Sequence, residues 1–335
     1  MPEIWLRYDM RSPAFGTKPE HLCRIALEQA QWADSLGFDV VHLPEHHGID
    51  DGYNPSTLVF ASAFAARTKR MRLYQLLLLP LHDPIRIAED LAVLDIISGG
   101  RTALILGLGY VPSEFAMFGV SLRQRAALMD SKIEALRHAL EGEAFTYEGR
   151  AIHVTPRPIQ RPTPPLYVGG AVAASARRAA RLGDGFVPSV MTEELRTIYL
   201  EACSQLGKAP GTIIDSVSGP QFIFVSEDPE RAWCQIAPHA LYEANFYANL
   251  AAENDIAVPF TAMEDVAALK ASGVYRVVTP AECVDLAAAL DERGAAMIFN
   301  PLLCGMPEEL SWSSLELFAS QVLPAIRGNV VPADA

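Results

Sequence analysis

The densest group of ionisable side chains in the sequence is the run PEHHG at 44–48. Two imidazoles beside a carboxylate are suited to proton transfer near neutral pH, or to binding a metal ion. A metal site needs further ligands held in a fixed geometry, and the sequence contains no HxH, HExxH or clustered cysteine motif. We therefore predict a proton-transfer role for His46, His47 or both, and no metal. The alternative is that one ring caps the backbone and the other is merely exposed.

A glycine-rich segment, LGLGYVPSEF (106–115), supplies a second group of candidates. Gly107 and Gly109 would let a flat ligand approach the backbone closely, and Tyr110 would line the pocket. The segment is not a dinucleotide-binding fingerprint, which needs a third glycine opening a helix. Glu114 is either an acid or base of the site or a carboxylate at the start of the next helix, and the sequence leaves both open.

A third segment, YVGGAVAAS (167–175), runs from an apolar stretch into an amphipathic one. Small residues there would expose backbone N–H groups at a helix N-terminus, which is a ready anion site. Because the segment has few side-chain donors, backbone amides would do most of the binding of a phosphate. The alternative is a tight turn followed by solvated arginines, Arg177 and Arg178.

The elements that must position these residues alternate between strand and helix along most of the chain. Eight such strands over 335 residues predict an α/β fold, a (β/α)8 TIM barrel with insertions. No shift in composition marks a linker, so we predict a single domain over 1–335 rather than a doubly wound sheet in two domains. Strand seven is predicted at 221–225, and the segment at about 240–280 is predicted to form an insertion or lid.

The active site of such a barrel lies at the carboxyl ends of its strands. The three segments above follow the predicted strands two, four and five, and His82 follows strand three. We therefore expect them to meet at one edge of the sheet.

Four segments together resemble the bacterial luciferase-like family of flavin- or deazaflavin-dependent oxidoreductases. They are LGFDVVHLPEHHG (36–48), LLLLPLHDPIRIAEDLAVLDIISGGR (76–101), LGLGYVPSEFAMFGV (106–120) and PRPIQRPTPPLYVGG (156–170). The resemblance covers roughly residues 1–190 and is loose beyond them. It implies a TIM-like barrel that is often dimeric through the helices following strands two and three.

The resemblance also implies a cofactor, reduced FMN or alternatively coenzyme F420, stacked in the mouth of the barrel beside His46 and His47. His46 would handle protons, and a non-proline cis peptide would lie beneath the ring near Gln75-Leu76. Many FMN-using members carry an arginine between the two glycines after strand four, where this chain has Leu108. The phosphate site implied by the resemblance comprises Gly169, Gly170, Ala171, Val172 and Ser175.

The function we favour is a flavin-dependent monooxygenase that oxidises a small organic substrate with reduced FMN and O2. A separate flavin reductase would supply the reduced FMN, as the resemblance implies. One alternative is F420-dependent hydride transfer to or from a small carbonyl or alcohol. Another is a metal-dependent hydrolase using His46, His47, Glu114 and His82. The last alternative is a protein that binds flavin but catalyses no reaction.

Composition excludes several other classes. With 27 basic and 40 acidic residues the formal net charge is −13, which disfavours nucleic acid and anionic membrane surfaces as partners. Five scattered cysteines without a CxxC pair predict reduced thiols. The N-terminus does not resemble a signal peptide, so we expect a cytoplasmic protein, and a homodimer.

Overall fold

The structure is a computed structural model that describes residues 1–254 and 260–328. Strands and helices alternate through most of it. The strands are β1 (Ile4–Arg7), β2 (Val40–Leu43), β3 (Arg72–Leu78), β4 (Thr102–Gly107), β5 (Phe145–Tyr147), β6 (Arg150–Ile152), β7 (Leu166–Gly170), β8 (Gly185–Pro188), β9 (Thr212–Ile213), β10 (Phe222–Val225), β11 (Tyr275–Val278) and β12 (Met297–Phe299). The helices are α1 (Pro19–Leu36), α2 (Thr57–Arg67), α3 (Pro84–Ser98), α4 (Pro112–Met117), α5 (Arg125–Glu141), α6 (Ala173–Leu182), α7 (Glu193–Gln205), α8 (Pro229–Asn254), α9 (Val266–Ser272), α10 (Pro280–Arg293), α11 (Glu308–Leu317) and α12 (Leu323–Arg327).

The described chain forms two compact units. The first contains 1–42, 49–54 and the residues from 215 onward, and the second contains 43–48 and 55–214. The prediction of a single domain over 1–335 stays a prediction.

In the first unit, β1 lies between β12 and β2, and all three strands are parallel. Aromatic side chains pack beside these strands: the ring centroids of Phe38, Phe299 and Phe318 lie within 6.3 Å of one another. A separate parallel pair, β10 and β11, carries aromatic residues into a second core with α8.

In the second unit, β3, β4, β7, β8 and β9 form a parallel sheet in that order. Its strands are apolar on both faces, as strands covered by helices on one side and packed core on the other must be. Side chains from α3, α5, α6 and α7 complete this core. Since the strands are parallel, the loops after β3, β4 and β7 emerge at the same edge of this sheet.

Local sequence explains where several helices begin and end. α1 ends at Gly37, whose φ of 84° is the left-handed conformation that glycine adopts without strain. α3 begins at Pro84, and the side chain of Asp83 accepts hydrogen bonds from the amides of Ile85 and Arg86. A glycine after an apolar helical stripe and a proline before one predict these two boundaries from the sequence alone.

The structure corrects the prediction for strand seven. The segment at 221–225 is β10, which pairs with β11 and lies outside the five-stranded sheet; β9 pairs with β8 in that sheet instead. Because β9 has only two residues, its hydrophobic pattern is too short to be recognised in the sequence.

Within 240–280, the structure describes the end of α8, then α9 and β11, whereas the sequence showed no clear strand there. The lid predicted for this segment also includes 255–259, which lie outside the described residues. In the part of the chain that is described, no helix combines the length and apolar character needed to cross a membrane.

Candidate functional site

The loop after β2 buries three ionisable side chains in succession. Glu45, His46 and His47 have relative exposures of 1%, 7% and 5%. Buried charged or polar groups are costly unless they are paired, so the partners of these residues define the local chemistry.

His46 is paired with Glu114. His46 Nδ1 lies 2.8 Å from Glu114 Oε1, and the same oxygen accepts the His47 amide at 2.9 Å. Glu114 lies in the first turn of α4, where a carboxylate also interacts favourably with the helix dipole. Glu114 therefore lies in the first turn of a helix, as one of the two readings expected, and its role as an acid or base stays a prediction.

Glu45 joins the loop to the end of β3. Its Oε2 accepts the amide of Leu78, while its Oε1 lies 2.9 Å from His82 Nε2 and 3.4 Å from His47 Nε2. Burial opposes ionisation of Glu45, but the contacts with His47, His82 and the Leu78 amide prevail and lower its pKa. We call Glu45, His46, His47, His82 and Glu114 the histidine cluster.

Aromatic rings cover the histidine cluster. The ring centroid of Phe118 lies 4.7 Å from that of His47 in an edge-on arrangement, and Tyr110 lies 6.0 Å from His46. Tyr110, predicted as a cofactor-binding residue, is thus placed beside the imidazole predicted to handle protons. Such rings limit the access of water to the imidazoles.

Gly107, the last residue of β4, and Gly109 both lie against neighbouring side chains. Gly109 has a φ of 73°, and a Cβ there would lie 2.8 Å from the ring of Phe115. A Cβ on Gly107 would lie 3.1 Å from Leu78. The space beside Gly109 is therefore filled by Phe115, and the predicted approach of a flat ligand to these glycines stays a prediction.

The loop from β7 to α6 has the form of an anion site. Gly170 has a φ of 146°, and a Cβ on it would lie 2.5 Å from the Cβ of Ser175. The Ser175 hydroxyl donates to the Val172 carbonyl and accepts the Val172 amide, so both groups cap the start of α6. The next two amides, of Ala173 and Ala174, precede the first intrahelical hydrogen bond and suit a phosphate.

The phosphate site implied by the resemblance stays a prediction, and the local bonds distinguish its residues. Gly169, Gly170 and Ala171 lead into the helix, while Val172 and Ser175 are already bonded to each other. The loop lies at the same sheet edge as the loops after β3 and β4. The histidine cluster and the predicted phosphate loop therefore share one edge of the second unit.

The arginines near this loop differ in availability. Arg178 Nε donates to Asp130 Oδ1 at 2.5 Å, and Arg181 binds the other oxygen of Asp130. Arg177 is exposed. Leu108, which stands where many FMN-using proteins of the resembled family have arginine, packs against the core. Of the two solvated arginines that the sequence predicted, only Arg177 remains available to a ligand.

The expected cis peptide at Gln75-Leu76 is wrong. Among the described residues, the cis bonds are Thr155-Pro156 and Arg161-Pro162. Gln75 and Leu76 instead continue the regular parallel ladder of β3 with β4, and Gln75 Oε1 accepts the Thr102 hydroxyl at 2.8 Å. Gln75 is fully buried, and the cofactor contact predicted for Gln75 and Leu76 stays a prediction.

The first unit holds a second group of buried charges that the sequence analysis missed. Arg7 Nη2 donates to the Tyr247 hydroxyl at 2.8 Å, and Arg7 Nη1 lies 3.4 Å from Glu243 Oε1. Glu243 also accepts the Tyr275 hydroxyl at 2.9 Å. Burial is the main cause of a raised pKa of Glu243, although Arg7 opposes it.

Arg11 is the most enclosed cation of this group. Its Nε donates to Asp51 Oδ2 at 2.8 Å, and its guanidinium carbon lies 4.0 Å from the ring centroid of Phe246. An ion pair together with an aromatic face keeps a buried guanidinium charged. The alternation of charges in RYDMR (7–11) is the sequence signal that could have revealed this group. We call Arg7, Arg11, Asp51, Glu243 and Tyr247 the arginine cluster.

Several relatives of this chain are named as oxidoreductases. Limonene 1,2-monooxygenase of Rhodococcus erythropolis is 27% identical over 333 residues, which cover 91% of this chain and 82% of that protein. F420-dependent glucose-6-phosphate dehydrogenase of Nakamurella multipartita is 27% identical over 268 residues, covering 75% and 74%. Two uncharacterized proteins of Sinorhizobium fredii are 30% and 37% identical, and the matches span 53% and 47% of this chain and about half of those proteins, 52% and 48%.

Solved structures confirm the predicted (β/α)8 barrel of luciferase-like type. The monooxygenase RslO1 of Streptomyces bottropensis has a TM-score of 0.70 at 27% identity, covering 96% of this chain and 99% of that chain. The oxygenating constituent of 3,6-diketocamphane monooxygenase of Pseudomonas putida, solved in complex with FMN, has a TM-score of 0.74 at 18% identity, covering 97% and 99%.

The sequence model described as luciferase-like monooxygenase matches residues 11–298, which include the histidine cluster and the loop into α6. The match extends well past residues 1–190, the part of the sequence that resembles the family in its motifs. This chain therefore belongs to the luciferase-like monooxygenase family.

Proposed function

We propose that this protein is a flavin-dependent monooxygenase that oxidises a small organic substrate with reduced FMN and O2. The observation that carries the proposal is the buried His46–Glu114 pair, with 2.8 Å between Nδ1 and Oε1. A carboxylate that binds one ring nitrogen orients the imidazole and stabilises its protonated form. O2 is the proposed oxidant because two relatives of this chain are named as monooxygenases.

His46 would exchange protons through Nε2, the ring nitrogen that does not face Glu114. When Nε2 takes up a proton, the Glu114 carboxylate balances the positive charge of the ring. The amide of His47 fixes Glu114 from the other side, so the carboxylate does not need to reorganise. His47 belongs to the catalytic group of this proposal because its backbone completes the pair.

Reduced FMN would supply the electrons that activate O2. Its phosphate fits the start of α6, where Ala173 and Ala174 present amides ahead of the first intrahelical bond. Its ring would lie near Tyr110 and His46, and Phe118 would help to exclude water from the imidazoles. A dry pocket protects reactive intermediates from hydrolysis, which is the contribution expected of the protein.

A second candidate is an F420-dependent oxidoreductase that transfers a hydride to or from a small carbonyl or alcohol. It is favoured by Leu108, which offers no charge to an FMN phosphate, and by the F420-dependent relative. The acidic tail of F420 would need basic side chains, and Arg177 is exposed at the start of α6.

We also propose a homodimer formed through α2 and α3. These helices contact each other and expose large apolar side chains that a monomer gains nothing by exposing. Val59 of α2 is 71% exposed, and Val93, Ile96 and Ile97 of α3 are 44–49% exposed. A separate flavin reductase is the further partner proposed, since the FMN-bound structure with the same fold is named as the oxygenating constituent of its monooxygenase.

Fluorescence titration of the purified protein with FMN and with F420 tests the cofactor. If FMN is the native cofactor, Leu108→Arg should tighten FMN binding by about tenfold or more, because a charge-assisted hydrogen bond contributes ~1.5–3 kcal/mol. If F420 is native, Arg177→Gln should weaken F420 binding and leave the weaker FMN binding unchanged. Binding of neither cofactor would reject both candidate functions.

A further inference from the structure

We infer that Glu45, His47 and His82 form a binding site for one divalent transition-metal ion. One ligand atom from each residue lies within 4.8 Å of the other two: Glu45 Oε1, His47 Nε2 and His82 Nε2. The ligands come from the loops after β2 and β3, and the inference does not depend on the cofactor.

The distances within the triad are close to those between the ligand atoms of a bound ion. Metal–ligand bonds of ~2.0–2.1 Å in a tetrahedral site place neighbouring ligand atoms ~3.3–3.4 Å apart. The contact between His47 Nε2 and Glu45 Oε1 is 3.4 Å, which already has this spacing. The 2.9 Å contact of His82 with the same oxygen would have to open by only ~0.4 Å, a movement that a side chain 20% exposed can make.

The environment of His47 Nε2 favours a bound cation. It is buried and has no hydrogen-bond partner among the described residues. If this nitrogen is unprotonated, its lone pair faces an ionised carboxylate, which is repulsive. If it is protonated, it lacks a well-aligned acceptor. A cation between His47 and Glu45 satisfies both groups.

The three ligands are held in place by contacts outside the triad. The amide of Leu78 binds the second oxygen of Glu45, and the amide of His47 donates to Glu114. Lys132 Nζ donates to the carbonyl of His82 at 2.6 Å. Such outer contacts orient ligands before the ion arrives and lower the cost of binding.

The ligand types decide which ions fit. Two imidazoles and one carboxylate suit Zn²⁺, Co²⁺ and Fe²⁺, whereas Mg²⁺ and Ca²⁺ prefer oxygen ligands. Three protein ligands leave a coordination position for water or a small molecule. Glu114 and His46 lie outside this arrangement, since the ligand atoms that lie within 4.8 Å of one another are those of Glu45, His47 and His82.

The experiment is a titration of the purified, tag-free, flavin-free protein with Zn²⁺ by calorimetry, and with Co²⁺ by visible absorption. We expect one equivalent of each ion to bind and Co²⁺ to show the ligand-field bands of a four-coordinate site. His82→Ala should weaken binding by more than about 100-fold, since loss of an outer-shell partner alone costs ~10–100-fold. The control is His138→Ala, which removes an exposed histidine 3.4 Å from Glu141 and should leave binding unchanged.

A second variant keeps the test independent of any loss of stability. His82→Cys retains a ligand at the most exposed position of the triad and should add a thiolate charge-transfer band to the Co²⁺ spectrum. Absence of stoichiometric binding in the unmodified protein would overturn the inference, as would full affinity in His82→Ala. Because no flavin is present, neither outcome bears on the proposed monooxygenase.

Discussion

The histidine cluster and the arginine cluster both bury carboxylates, but they pair them with different cations. Glu45 and Glu114 face imidazoles, whose ring nitrogens can each donate or accept a hydrogen bond. Asp51 and Glu243 face guanidinium groups, which remain charged at every accessible pH. The imidazoles of the first cluster can transfer a proton, whereas the guanidinium groups of the second hold a fixed positive charge. We therefore propose proton chemistry for the histidine cluster and structural support for the arginine cluster.

The two clusters also affect their glutamates in opposite directions. Burial opposes ionisation at both, but the histidine and amide contacts of Glu45 lower its pKa. At Glu243 burial prevails, and the pKa is raised despite Arg7. The geometry explains the difference: the oxygens of Glu45 have an amide and two imidazoles, whereas Arg7 approaches Glu243 only to 3.4 Å and also binds Tyr247.

The largest expected effect is on stability, from Asp51→Asn. The substitution keeps the shape of the side chain but leaves Arg11, which has no solvent exposure, without its counter-ion. Breaking a buried ion pair on one side costs ~3–5 kcal/mol, measured as the free energy of unfolding in urea. The matched control is Glu28→Gln, which breaks the exposed Arg24–Glu28 pair and should cost no more than ~0.5 kcal/mol. Equal effects of the two substitutions would contradict the structural role of the arginine cluster.

A smaller effect, on rate, is expected from His46→Ala. Loss of general acid–base catalysis should lower the turnover of the bound cofactor with substrate at least about tenfold, and folding should be retained. Glu114→Gln should lower turnover less, because the ring remains and only its orientation and charge balance suffer. The pair of rates is compared by steady-state kinetics alongside circular dichroism. An unchanged rate in His46→Ala would remove this residue from the mechanism.

The smallest effect is on the pH dependence of stability, and its sign differs between the clusters. Glu45 has a lowered pKa, so its stabilising contribution is present above the ordinary value near 4.5 and is lost as the pH falls through the folded-state pKa. Glu243 has a raised pKa, so the folded state binds its proton more tightly, and the contribution declines as the pH rises above that ordinary value.

Urea unfolding between pH 3 and pH 7, on the order of one measurement per pH unit, separates the two signs. The stability difference between the unmodified protein and Glu45→Gln should shrink on acidification. The free energy of unfolding of the unmodified protein minus that of Glu243→Gln should increase on acidification. Parallel trends for both variants would show that the two carboxyls share one environment, against the comparison made above.

Much of the architecture could be predicted because it depends on local patterns. α1 ends at Gly37 and α3 begins at Pro84 because a left-handed residue and a proline restrict the backbone wherever they stand. The Glu148-Gly149 pair likewise predicts a turn, and the hairpin of β5 and β6 turns there with a positive φ at both residues. β9 escaped prediction because two residues carry no recognisable period.

The candidate site divides in the same way. The types and order of Glu45, His46 and His47 were enough to predict proton chemistry at the loop after β2, which stays a prediction, and the alternation of elements was enough to predict the barrel. Which carboxylate meets which imidazole was decided by the tertiary structure, because Glu114 is 68 residues from His46 and His82 is 37 residues from Glu45 along the chain. Sequence spacing carries no information on contacts at that separation, since they arise only when parallel strands bring the ends of their loops to one edge.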